Sequence, residues 1–216
     1  MCIRDSGDKD LALNLFRNQL FSEGKSLTQI TNIMTHKFDL NCKILPMTDN
    51  LVSTKIKTSN GKLLDFQEYF VELKSEPEIS DVIYSESEKA DITMEVSNAL
   101  DQADKIVVGP SNPILSIGPI LAIQNLKEKL TNNSSTYVVS PFIENKAIKG
   151  PSKKNFEDLG YKSDITGIKE FYNNIGNYYI VQSGDTDKAE NTIEKNILFK
   201  STEDSTNLAR YIVDHE

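Results

Sequence analysis

The chain has 216 residues, 38% of them hydrophobic and 26% charged, with a formal net charge of -8 at pH 7. That length suits one sizeable domain with a real core, while the acidic balance argues against a sequence-independent nucleic-acid binder, which needs a basic stripe for phosphates. No uninterrupted apolar run approaches the ~20 residues that a membrane span needs.

Two cysteines, Cys2 and Cys42, have neither metal-ligand spacing nor a disulfide framework and fit a reducing cytoplasm. Two histidines, His36 and His215, leave little material for a histidine-based zinc site or catalytic triad. The opening "MCIRDS" lacks the apolar core of a signal peptide and runs straight into "GDKDLALNLFRNQL", which reads as the interior of a domain. The expectation is a chain that lacks the N-terminal part of its fold, with residues 1–5 non-native and set aside.

Leu11, Leu13, Leu15, Phe16 and Leu20 include helical spacings, and Leu27, Ile30, Ile33, Met34 and Phe38 repeat them. Two helices joined at Gly24 follow, with Ser26 capping the second. "CKILPMT" reads as a short buried strand ending in a polar turn. "LVSTKIKT" and "KLLDFQEYFVEL", separated by Asn60-Gly61, read as a hairpin. "DVIYSE" is a further strand and "TMEVSNALDQA" a helix capped near Asp91 or Thr93. Then the pattern becomes regular: strand "KIVVG", a turn-rich loop, a helix through "ILAIQNLKEKL", strand "TYVVS", the loop "PFIENKAIKGPS", helices near "KNFEDLG" and "ITGIKEFYNN", strand "YYIVQSG", and a helix near "STNLARYIV". Alternating apolar strands and helices predict a single α/β domain over residues 1–216, with a mostly parallel sheet and an added β-hairpin.

In such sheets ligands sit beyond the carboxyl ends of the strands. Three loops stand there, "PMTDN", "GPSNPILSIGP" and "SPFIENKAIKGPSKK", all rich in hydroxyls, amides and small residues. In the second, Gly109 permits close approach and an unusual φ, Pro110 and Pro113 stiffen the turn, Ser111 and Asn112 present a hydroxyl and an amide, and Ser116 or Ile117 leads into a helix whose free N–H groups favour an anion. The same residues also serve as a plain turn and helix cap. The loop lacks GxxxxGK[ST], and no GxGxxG follows a strand. Asp8 and Asp10 at a helix start suit Mg²⁺ or a hydroxyl as well as a helix-terminal charge pair, and Lys149, Lys153 and Lys154 suit either phosphate or solvent. Phe66, Tyr69 and Phe70 read as hairpin packing.

Taken in order, "GDKDLA", "ILPMTDN", "LLDFQEYFV", "ALDQADKIVVGPSNPILSIGPIL" and "VVSPFIENKAIKGPSKK" closely resemble the 2-phospho-L-lactate transferase (CofD) family over residues 7–187. The resemblance implies a Rossmann-like three-layer α/β fold, here without its first strand or strands. It implies a Mg²⁺-dependent transferase that takes a guanosine diphosphate donor carrying 2-phospholactate, or a phosphoenolpyruvate-type equivalent. The phosphoryl-linked acid passes to the deazaflavin Fo with release of GMP, in coenzyme F-420 biosynthesis. Gly109, Pro110, Ser111, Asn112, Pro113 and Ser116 then match the donor nucleotide and phosphate side, with Ser140, Lys149, Gly150 and Pro151 in the neighbouring loop. Asp8, Lys9, Asp10, Met47, Thr48 and Asp49 match segments expected near Fo, although the family usually has Arg where Lys9 stands. Members also carry a strand, a glycine-rich loop and metal-binding aspartates ahead of the segment matching Gly7. The catalytic and metal-binding residues are therefore not assigned, and the chain by itself is expected to be inactive. The family suggests a homodimer with small-molecule substrates, and the cysteine usage a cytoplasmic one. A related branch of regulators that bind nucleotide sugars without transferring anything, the gluconeogenesis-factor type, reads "GPGSLYTSIIPNL" at the second loop and departs from this chain there.

Overall fold

Helix α1 (Asp8–Ser22) and helix α2 (Leu27–Lys37) meet at Gly24, whose φ of 79° turns the chain. Ser26 accepts the Gln29 N–H at 3.3 Å while the Gln29 side chain accepts the Ser26 N–H at 3.0 Å, a reciprocal cap that fixes the start of α2. The computed structural model describes residues 7–143, 150–173, 175–184 and 190–215, together with the backbone of 146–147. No described helix is long and apolar enough to cross a membrane.

An antiparallel three-stranded sheet follows, β1 (Ser53–Thr58), β2 (Leu63–Asp65) and β3 (Ile79–Ser85), in the order β2-β1-β3. Asn60-Gly61 makes the expected turn, with Gly61 at φ 85° and Thr58 N–H donating to Lys62 O at 2.9 Å. Two expectations are corrected in this region. "CKILPMT" is not a strand, because a strand exists by pairing and no described strand lies alongside it; Ile44 is exposed. The second arm of the hairpin ends at Asp65 and gives way to a π-helical turn, Glu68–Glu72. Phe66, Tyr69, Phe70 and Leu73 carry helical spacing, and all four pack toward the core, so the period of the sequence favoured a helix after only three strand residues.

Helix α3 (Met94–Gln102), capped by Thr93, leads to the parallel sheet formed by β4 (Ile106–Val108), β5 (Thr136–Val139), β8 (Tyr178–Gln182) and β9 (Thr192–Lys195), in the order β4-β5-β8-β9. Between β4 and β5 the chain forms a π-helical turn, Pro113–Ile117, then α4 (Gly118–Leu121) and α5 (Gln124–Thr131), where one continuous helix was expected. After β5 come the short antiparallel pair β6 (Phe142–Ile143) and β7 (Lys146–Ala147), then α6 (Ser152–Asp158) and α7 (Ile165–Tyr172); α8 (Thr202–Asp214) closes the chain. Strand β9 was not legible, since Thr192, Glu194 and Lys195 break its apolar signal.

All four residues of β5 are buried, and its three apolar ones divide between two cores. Val138 joins Val108, Ile114, Leu126, Phe156 and Ile168, whereas Tyr137 and Val139 join Ile180 of β8 and Leu208 and Ile212 of α8. Helices thus cover both faces of the parallel sheet, the arrangement of a Rossmann-like α/β fold. Each fully buried Val or Ile side chain contributes about 1.5–3 kcal/mol. Ile56, Leu64, Tyr69 and Ile79 of the antiparallel unit enter the same core as Val138, which locks that unit onto the α6 side. There Asp158 Oδ2 accepts the Ile79 N–H at 2.9 Å and Lys154 Nζ donates to Pro77 O at 2.7 Å.

Candidate functional site

Val108, the last residue of β4, pairs in register with Val138 of β5, and Val139 pairs with Ile180 of β8. Neighbouring strands lie about 4.8 Å apart, so the chain leaves β4 at residue 109 and β5 at residue 140 side by side. This is the carboxyl edge at which open α/β sheets hold ligands. Ser140 remains tied to the sheet. Its N–H donates to Ile180 O at 2.8 Å, and its buried hydroxyl donates to Phe142 O at 2.9 Å while accepting the Phe142 N–H at 3.0 Å. Gly150, at φ 70°, is an exposed turn residue before α6, and Lys149 lies outside the described residues.

Asn112 organises the loop after β4. Its Oδ1 accepts the N–H groups of Ile114 and Leu115 at 2.9 and 3.0 Å, and its backbone carbonyl accepts those of Ser116 and Ile117 at 2.9 and 3.1 Å. The expectation of free N–H groups at this helix entrance is corrected: residues 114–117 find their partners within the loop, and Pro113 has no N–H to offer. Because Oδ1 is used twice, the Asn112 amide nitrogen faces away from the turn, where it donates to Oδ1 of Asn155 on α6 at 2.9 Å. Asn155 in turn donates to the Tyr69 phenol oxygen at 2.9 Å, and that phenol donates to Ser75 O at 3.3 Å. Asn155 and Tyr69 are completely buried. Burial pushes the Tyr69 phenol above its ordinary pKa, against the opposite pull of the Asn155 bond, so it stays a protonated donor.

A second tie comes from β3. The Tyr84 hydroxyl donates to Ile114 O at 2.6 Å, and burial raises the pKa of that phenol as well. Gly118 makes room for it, since a Cβ there would overlap the Tyr84 hydroxyl and stand 2.6 Å from its Cζ. Gly109, by contrast, has a φ outside the left-handed region, and a Cβ added to it would meet nothing within 4 Å. The unusual φ expected at Gly109 is not used; the glycine that close approach requires is Gly118.

What this frame presents outward is Gly109, Pro110, Ser111 and Ser116, all exposed, and neither serine hydroxyl has a hydrogen-bond partner among the described residues. Pro113 is buried beneath them. Lys154 is committed to Pro77 O and, at 2.5 Å, to Asp158, while Lys153 Nζ lies 3.6 Å from Glu157. The other expected residues belong to separate neighbourhoods. Asp8, Lys9 and Asp10 are exposed in the first turn of α1. Met47 is half-buried against the core, Thr48 donates to Asp91 O at 2.6 Å, and Asp49 Oδ1 accepts the Thr28 N–H at 2.7 Å, holding the start of α2. No hydrogen bond among the described residues joins these two groups to loop 109–116. Among the described residues there is also no group of three or more His, Cys, Asp and Glu that could hold a metal ion. Sequence reasoning missed Tyr84 and Asn155, which carry no local motif.

The model of the family "2-phospho-L-lactate transferase CofD" matches residues 2–210. The chain belongs to the CofD family. Among its relatives, the 2-phospho-L-lactate transferase of Methanocaldococcus jannaschii is 34% identical over 96% of this chain and 69% of its own length. That of Methanococcus vannielii is 35% identical over 97% of this chain and 69% of its own length. A third, from Haloarcula marismortui, is 38% identical over 77% of this chain and 49% of its own length. These relatives support a transferase activity for this CofD-family chain. Among solved structures, protein BH3568 of Bacillus halodurans superimposes with a TM-score of 0.69 at 14% identity, over 93% of this chain and 71% of that one. A second structure of BH3568, described as a member of the UPF0052 family, gives 0.67 at 13% identity. At such identities the likeness carries the fold alone.

Proposed function

We propose that this CofD-family chain carries the donor-binding wall of a transferase that moves 2-phospho-L-lactate from a guanosine diphosphate donor to the deazaflavin Fo, in coenzyme F-420 biosynthesis. The ribityl hydroxyl oxygen of Fo attacks the phosphorus that bears the lactate, the bridging P–O bond to the second phosphate breaks, GMP departs, and the hydroxyl proton is lost. Phosphoryl transfer of this kind depends on holding oxygens in line and stabilising their charge. The observation that carries the reading is the side-by-side exit of the loops after β4 and β5, with Ser111 and Ser116 turned outward on a loop stiffened by Asn112. Their hydroxyls donate to phosphate oxygens while two prolines and the Asn112 bonds limit the conformational cost of binding. Membership of the CofD family supports the transfer of 2-phospho-L-lactate.

The test is a calorimetric titration of the protein with GDP and, in parallel, with a UDP-sugar. Binding of GDP in preference to the UDP-sugar is the expected result. Binding of the UDP-sugar alone, or of neither, overturns the reading.

A further inference from the structure

The turn Pro113–Ile117 is π-helical: Ile117 N–H donates to Asn112 O and Gly118 N–H to Pro113 O, each five residues back. The next bond in that series would run from residue 119 to Ile114 O. Residue 119 is proline and has no N–H. Left alone, the carbonyl of Ile114, a residue only 2% exposed, would stand without its helical partner, at the cost of a buried unsatisfied acceptor. The Tyr84 hydroxyl fills that place at 2.6 Å, reaching across from β3 through the space that Gly118 leaves open.

We propose that Tyr84 is a positioning residue for the donor loop: its phenol replaces the N–H that Pro119 lacks and so holds residues 112–118 in the π-turn that sets Ser116 outward. The antiparallel sheet thereby acts on the ligand edge of the parallel sheet without touching the ligand. Tyr69, through Asn155 and Asn112, grips the same loop from the other end. The part of the proposal that concerns ligand affinity rests on the donor-binding reading above; the part that concerns loop geometry does not.

The experiment compares the protein with Tyr84→Phe and with the double variant Tyr84→Phe/Pro119→Ala, which restores a backbone N–H at residue 119. Hydrogen–deuterium exchange at Ile117 and Gly118 is read against Tyr137–Val139 as an internal control. Loss of one such bond predicts exchange about two- to tenfold faster in Tyr84→Phe, with β5 unchanged and protection recovered in the double variant. Unchanged exchange in Tyr84→Phe, an equal rise in β5, or no recovery in the double variant would overturn the geometric part. GDP titration of the same three proteins is expected to show affinity weakened and then recovered in parallel. If GDP affinity stays constant while the loop loosens, Tyr84 does not position the donor. If the unaltered protein binds no GDP, the donor-binding reading fails and the exchange measurement alone decides the role of Tyr84.

Discussion

The side-chain amide of Asn155 donates to the phenol oxygen of Tyr69 at 2.9 Å, and both residues are fully buried although 86 positions apart in the chain. Its carbonyl oxygen is also taken, by Asn112 Nδ2 at 2.9 Å. Asn155→Ala leaves a half-buried donor, Asn112 Nδ2, and a buried acceptor, the Tyr69 phenol oxygen, without these partners, as well as a small cavity. Each unsatisfied group costs about 1–3 kcal/mol, so the variant is expected to lose about 3 kcal/mol in urea unfolding. A loss below about 0.5 kcal/mol would mean that the chain of bonds from Asn112 to Ser75 carries no weight.

Gly118→Ala is predicted to be more damaging than a small-to-small change usually is. The new methyl group overlaps the Tyr84 hydroxyl and crowds Pro113 O at 3.2 Å; neither moves freely, because the first is bonded to Ile114 O and the second lies in the π-turn. Overpacking of this kind costs about 1–3 kcal/mol. Gly109→Ala, with nothing within 4 Å of its methyl position, is expected to stay within about 0.5 kcal/mol of the parent. Thermal unfolding of the two variants side by side checks the contrast; equal midpoints would contradict it.

The difference between those two glycines marks where the sequence stopped being readable. The four buried residues of β5 announce a central strand because an apolar run bounded by turn residues has one simple explanation. The position of "GPSNP" after a strand likewise followed from local pattern, as did the reciprocal cap at Ser26. The π-turn did not, since its stability depends on Tyr84, 30 residues earlier, and on Asn155, 43 residues later. Lys154 illustrates the same limit: a lysine beside a loop is read as available, yet its ammonium group is held by Pro77 O, 77 residues away. Residues that act through distant partners have no short-range signature.

Asp164 gives α7 a pH-dependent cap. Its Oδ1 accepts the N–H groups of Thr166 and Gly167 at 2.8 and 3.1 Å. Burial raises its pKa, but the hydrogen bonds from Thr166 and Gly167 outweigh that and hold the carboxyl below its usual 3.8. A carboxylate whose folded-state pKa is depressed stabilises the fold above its unfolded value and loses that contribution as pH falls through the folded value. Asp164→Ala is expected to cost about 1 kcal/mol at pH 7. Asp164→Asn keeps the cap geometry without the charge, so its stability difference from the parent is expected to be present at pH 7 and to shrink below about pH 4. Urea midpoints measured from pH 7 down to pH 3 decide it; a difference that grows on acidification would show that the sign is wrong.

The last prediction separates the residues that build the loop from those that face a ligand. Asn112 spends its Oδ1 on the turn and its Nδ2 on Asn155, so Asn112→Ala is expected to lower stability by at least the roughly 0.5–2 kcal/mol that loss of a helix cap costs. Ser111 and Ser116 are exposed and their hydroxyls have no hydrogen-bond partner among the described residues, so Ser111→Ala and Ser116→Ala should each leave unfolding within about 0.5 kcal/mol of the parent. If their hydroxyls donate to the diphosphate, each substitution should nevertheless weaken GDP binding about two- to tenfold, the worth of one hydrogen bond. The pairing of unchanged stability with weakened binding is the signature sought, because a structural role would move both together. Should both serine variants bind GDP as tightly as the parent, the outward face of residues 109–116 is not the nucleotide wall, and the loop's amide and prolines serve the fold alone.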